Sequence, residues 1–149
     1  MTLYQIRNPR IDAEGVLSGD FSARQYLTIE SKLLKAFRLF IRGRRVRLLG
    51  YEGIRIPSSR LRLKSLEDYI NIDLDENIST SLFKCILRNY FWAFVCVDSR
   101  IGFHVDEYLR VVVSGLNIAE LRELESFGVS MEIRDDLVAD KVYYCDNYR

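Results

Sequence analysis

One histidine, three cysteines and a few short carboxylate runs are the residues of this chain whose types suggest chemistry. His104 stands two positions before Asp106, so on an extended strand the imidazole and the carboxylate project to one face, where Asp106 would orient the ring. There is no second histidine, which excludes a His-pair acid–base mechanism within one chain. A Cys–His dyad would need Cys85, Cys96 or Cys145 beside His104. All three cysteines lie in apolar surroundings, and no spacing favours such a dyad. A zinc site would consume His104 and every cysteine, with no two ligands close in sequence, whereas structural zinc sites draw their ligands in close pairs. Asp73-Leu74-Asp75-Glu76-Asn77 clusters carboxylates but lacks the glycine and terminal glutamate of a calcium loop at the required offsets. Glu30-Ser31-Lys32 matches the E-x-K triplet of some nucleases, but it falls in a helical stretch where that chemistry wants a strand. No glycine-rich phosphate loop is present, and Gly50 and Gly53 read as turn residues. The aromatic run around Trp92 could line a pocket, yet a continuous apolar run beside an amphipathic helix reads as core. The expectation is no catalytic residue, no metal and no cofactor.

Charge is the stronger signal. From Lys32 to Lys64 there are eleven basic residues against a single acid, Glu52, although the whole chain carries only +1. Arginine dominates that window, and its planar fork suits bidentate recognition of carboxylate or phosphate. Arg45, Arg47, Arg55, Arg60 and Arg62 define a basic pole on short alternating segments between residues 44 and 64. Glu67, Asp68, Asp73, Asp75 and Glu76 define an acidic pole directly after it, and a second acidic concentration occupies the C-terminal third. Two uses of this asymmetry compete with plain internal ion pairing. One is steered association with a charged protein. The other is nucleic-acid binding, which the scarcity of aromatics among the basic residues and the adjoining acids disfavour.

The elements that must position these residues follow from periodicity. Tyr26, Ile29, Leu33, Phe37 and Phe40 recur at helical spacing and predict a helix from about Ala23 to Arg42. Ser22 and Gln25 supply a capping box, Phe21 and Tyr26 a staple, and Gly43 a stop. Residues 3 to 7 suggest a first strand. Period-2 alternation predicts strands around Val46–Leu48, Ile54–Ile56 and Leu61–Leu63, with Gly50 to Gly53 and Pro57 to Ser59 as turns. A brief helix is expected near Ser65–Asp68, an acidic loop over Asn71–Asn77 and a second helix from Ser79 or Ser81. Phe91–Val97 suits a central strand. Its partner is expected over Phe103–Val113, with a bulge at Asp106 and Glu107. Asn117 and Glu120 cap a third helix with Ile118, Leu121 and Leu124 inward, Gly128 ends it, and strands follow at Val129–Ile133 and Lys141–Cys145.

Hairpin-like neighbours outnumber β-α-β crossovers, so the expected fold is α+β, a single domain over residues 1–149 with a mainly antiparallel sheet and two or three packed helices. An apolar fraction of 48% supports a real core. No apolar run approaches the roughly 20 residues that span a bilayer, and no signal peptide is visible. An odd number of scattered cysteines suggests reduced thiols and a cytoplasmic location. The expected function is a non-catalytic protein-binding module: an inhibitor or immunity-type protein that neutralises a partner enzyme such as a cationic nuclease toxin through the acidic pole. The alternative is a nucleic-acid-binding protein that uses the arginine-rich strands.

Overall fold

The computed structural model describes residues 2–7, 23–52, 66–88, 90–105, 110–138 and 144–145. Six strands, β1 (Tyr4–Arg7), β2 (Val46–Glu52), β3 (Trp92–Val97), β4 (Ile101–Val105), β5 (Val111–Ser114) and β6 (Ser130–Ile133), form one sheet in the order β2-β3-β4-β5-β1-β6. Every neighbouring pair is antiparallel. Three helices, α1 (Ala23–Ile41), α2 (Glu76–Leu87) and α3 (Ile118–Ser126), complete the α+β fold.

Alternation along the strands divides the side chains between two faces. On one face Val46, Leu48, Val95, Val97, Phe103, Val111 and Val113 share a single core with Leu33, Phe37 and Phe40 of α1, Leu82, Phe83 and Ile86 of α2, and Leu124 of α3. Its centre is aromatic. Phe37 stacks on Phe83 with ring centroids 4.1 Å apart, and both meet Phe103 edge-on. The opposite face carries two small clusters. Leu3 and Val112 lie under Leu137, Val138 and Tyr144, while Phe94, Cys96 and Cys145 sit beside Leu49.

Helix α1 follows the expected stripe, with Leu33, Phe37 and Phe40 buried. Tyr26 is only half-buried, because its hydroxyl reaches across to donate to the Leu87 carbonyl at 2.9 Å. The expected cap and staple at Phe21 and Ser22 lie outside the described residues, as do the strands at Ile54–Ile56 and Leu61–Leu63 and most of the strand at Lys141–Cys145.

Several expectations are corrected. Strand β2 does not turn at Gly50 but runs on to Glu52 through a bulge between Leu48 and Gly50, where glycine is easily accommodated. Helix α2 begins at Glu76 rather than Ser79, because the Asp75 side chain accepts from the Ile78 amide at 2.8 Å and two acids suit a helix N-terminus. The expected long strand Phe103–Val113 is two strands, and the chain reverses so that Val105 faces Val111; Asp106 and Glu107 lie outside the described residues. The capping box of Asn117 and Glu120 forms as expected, but Ile118 is 67% exposed, because the buried face of α3 is built on Leu124 and Glu120.

The cysteine expectation also changes. Cys96 and Cys145, 49 residues apart, form a disulfide with a Cα separation of 6.2 Å, and Cys85 is free and buried. The two partners are brought together by the fold and not by sequence proximity, so spacing could not announce the pair. With it goes the premise of three reduced thiols on which the reducing compartment rested. Among the described residues no helix is long and apolar enough to cross a membrane.

Two stability measurements test this architecture. Leu33→Ala should lower the unfolding free energy by about 2–5 kcal/mol, the range for a buried leucine truncated beside rigid neighbours. Cys145→Ser should cost about 2–4 kcal/mol in denaturant titrations without reductant and far less with it.

Candidate functional site

Among the described residues, acids of the expected acidic pole meet bases of the expected basic pole. The segment from Leu66 to Glu76 folds back along the outer edge of β2, where the Asn71 amide donates to the Leu48 carbonyl and the Leu74 amide to the Val46 carbonyl, both at 2.9 Å. Leu66 and Tyr69 anchor the segment in the core, and Asn71 turns it with a left-handed φ of 57°. This placement brings acids from one expected pole onto bases from the other. Asp73 receives Arg47 at 2.8 Å and Arg45 at 3.5 Å, and Glu76 receives Arg38 at 2.7 Å and Arg42 at 3.4 Å. The neighbouring guanidinium groups hold both carboxyls below their ordinary pKa.

The remaining acids of that segment take different roles. Glu67 accepts from the Tyr51 hydroxyl at 2.9 Å, and this bond is the first cause that raises the phenol's pKa. Asp75 caps α2. Asp68 is exposed. At the apex Ile72 is 48% exposed, an apolar side chain on a turn whose flanks are charged. Of the expected basic set, Arg45 and Arg47 are committed to Asp73, and Arg55, Arg60 and Arg62 lie outside the described residues.

Pairing extends beyond the poles. Arg44 grips Glu123 through two bonds of 3.0 and 2.8 Å and lies over the Phe40 ring, 4.2 Å from its centroid. Arg100 makes a bidentate contact to Glu120 at 2.9 and 2.8 Å. Glu30, buried within α1, takes both oxygens' worth of bonding from Arg88 at 2.9 Å each. Burial, with the Glu30 charge added, pushes the Tyr26 phenol up. Lys32 is exposed while Glu30 is buried, so the E-x-K triplet does not converge on one point. These partners lie 20 to 79 positions apart, and only the Glu120 pair has a local signal, the capping box.

His104 sits on β4, opposite Phe94 of β3, and lines a cavity of about 220 Å³ on the sheet face away from the helices. Gly50, Tyr51 and Glu52 of β2 and Trp92 and Phe94 of β3 line it too. The expectation that the aromatic run is plain core therefore holds for Phe91 and not for Trp92, which is half-buried at the cavity wall. Asp106, the expected partner of His104, lies outside the described residues. Among the described residues no group of three or more His, Cys, Asp or Glu is placed to hold a metal ion.

The α3 pairs have a pH signature. Hydrogen bonds from Arg100 and Arg44 hold the Glu120 and Glu123 carboxyls below their ordinary value of 4.5. A depressed folded-state pKa means that the pairs contribute fully above that value and lose their contribution as pH falls through the lower folded value. The double variant Glu120→Gln/Glu123→Gln should therefore be less stable than the parent at neutral pH. The difference should shrink progressively below pH 4.5, as read from urea midpoints across pH.

No family model matches this chain, and neither a curated protein nor a solved structure matches it.

Proposed function

We propose that this domain is a non-catalytic protein-binding module, an inhibitor or immunity-type protein that neutralises a partner enzyme such as a cationic nuclease toxin. The turn over residues 67–76 is its contact surface. The observation that carries this reading is Ile72, a half-exposed apolar side chain at the apex of a braced turn. Protein interfaces typically pair an apolar anchor with a polar rim, and a few central residues carry most of the binding energy. Here the anchor stands on the same short segment as Glu67, Asp68, Asp73 and Asp75.

Preorganisation supports the same reading. Two backbone bonds to β2, the Tyr51–Glu67 bond and the arginine pairs on Asp73 fix the turn before any partner arrives. A contact surface that is already ordered loses little conformational entropy on binding. Asp68 and Glu67 add negative potential beside Ile72, which favours a cationic partner and speeds its approach.

The test is affinity capture from a lysate of the source cells with the tagged domain, compared with Ile72→Asp and with Asp68→Lys. The expected result is one stoichiometric protein that Ile72→Asp loses by about thirtyfold or more in affinity, the scale of a hot-spot residue. Asp68→Lys should mainly slow association and flatten its salt dependence. A partner held equally well by Ile72→Asp removes the turn from the interface. Capture of RNA or DNA instead, lost when Arg55, Arg60 and Arg62 are reversed to glutamate, would establish nucleic-acid binding in its place.

A further inference from the structure

We propose that the cavity at the bulged end of β2 is a binding site for an organic cation, a guanidinium or alkylammonium group, seated between the Trp92 ring and the Glu52 carboxylate.

The site arises from strand register. Residues directly opposite each other in an antiparallel pair project to the same face. The bulge between Leu48 and Gly50 shifts the register so that Gly50 stands opposite Phe94 and Glu52 opposite Trp92. On the next strand His104 stands opposite Phe94. A glycine opposite a phenylalanine leaves a side-chain-sized gap, and the gap is bordered by Trp92, Phe94 and His104, with Glu52 at its rim. Without the bulge Leu49, not Gly50, would stand opposite Phe94. The volume of about 220 Å³ is ample for the head of one arginine or lysine side chain.

The chemistry of the walls selects the charge of the occupant. Trp92, half-buried at the cavity wall, brings aromatic surface to it, which attracts cations through the ring quadrupole and offers an anion nothing. Glu52 lines the cavity, is exposed, and makes no ion pair among the described residues, unlike Asp73 and Glu76 in the neighbouring turn, which arginines already occupy. It is also the single acid between Lys32 and Lys64, so the one carboxylate that this basic stretch contains stands at the one cavity described here. An aromatic wall beside an unengaged carboxylate is the arrangement that recognises guanidinium and ammonium groups. The same group reaches the site either on a protein side chain or as a free amine.

Trp92 is the only tryptophan in the chain, so its emission reports directly on occupancy. The experiment titrates the full-length protein, at constant ionic strength, with a capped Gly-Arg-Gly peptide, with agmatine and with the capped Gly-citrulline-Gly peptide. Citrulline keeps the shape of arginine without its charge. Both guanidinium probes should shift or quench Trp92 emission saturably, with affinities on the order of millimolar, as a single cation–aromatic contact plus one carboxylate supplies. The citrulline peptide should leave the emission unchanged. Glu52→Gln, at an exposed strand end, should keep the fold by circular dichroism and weaken both probes about tenfold or more, the loss expected for one charge-assisted contact. Tighter binding of the arginine peptide assigns the source to a protein side chain, and tighter binding of agmatine to a free amine. No saturable response to either guanidinium probe overturns the proposal. So does an equal response to citrulline, or full retention of binding in Glu52→Gln. None of these outcomes involves Ile72, so the site stands or falls separately from the turn as a protein interface.

Discussion

A stretch of chain with eleven bases and one acid attracts carboxylates from other segments, and the placement of the segment after β2 follows that attraction. Carboxylates reach this stretch from three places: Asp73 and Glu76 after β2, Asp98 after β3 and Glu123 on α3. Pairs at the surface, such as Arg38–Glu76, each contribute only about 0–1 kcal/mol and do not hold the fold together. Their effect is on specificity. They set which segment lies on the outer edge of β2 and where it lies, because Asp73 must reach Arg45 and Arg47 while Glu76 reaches Arg38 and Arg42. Glu30 is different. It is 4% exposed, and a buried charge deprived of its partner costs about 3–5 kcal/mol, so Arg88 is obligatory once α1 and α2 pack.

The cohesive energy comes from the helix-covered face. Phe37, Phe83 and Phe103 join α1, α2 and β4 in one contact, and Phe40 approaches Phe103 from the next turn of α1. Three elements distant in sequence therefore lose their aromatic surface to water together, which makes their association cooperative. Among the described residues no α-helix covers the other sheet face. There Leu137, Val138 and Tyr144 pack on Leu3 and Val112, Cys145 is tied to Cys96, and a cavity lies among β2, β3 and β4.

What was legible in the sequence was local. The stripe of α1, the continuous apolar run of β3 and the capping box of α3 each depend on side chains within a few positions of one another, and each formed where the pattern put it. The antiparallel α+β architecture followed from the same signals. What escaped notice was decided by distant partners. The reversal between β4 and β5 divides the stretch Phe103–Val113, which reads as one bulged strand until Val105 meets Val111. The bulge in β2 is invisible because Gly50 also suits a turn. Glu30 reads as an ordinary solvated helix residue until Arg88 is found 58 positions away. The charge asymmetry was plain in the sequence, and internal pairing was one of its readings, but which arginine meets which acid was not legible, because the partners come from segments that only the fold brings together.

Both candidate surfaces belong to β2, and its position explains why. An edge strand must have its outer hydrogen-bonding groups covered or it invites pairing with another chain. Here the turn over 70–74 covers the first half of the strand, through Val46 and Leu48, and stops there. Covering the edge lifts Ile72 to the outside of the molecule, since a segment that spends Asn71 and Leu74 on backbone bonds and Leu74 on the core leaves Ile72 and Asp73, the two residues between them, exposed. Beyond Leu48 the bulge bends the strand and rotates Gly50, Tyr51 and Glu52 into new register against β3. One rotation does two things. It sends Tyr51 towards Glu67, which ties the strand end to the turn, and it turns Glu52 to the opposite face beside Trp92. The apolar apex and the acidic cavity thus have a single structural origin, the management of one exposed strand edge.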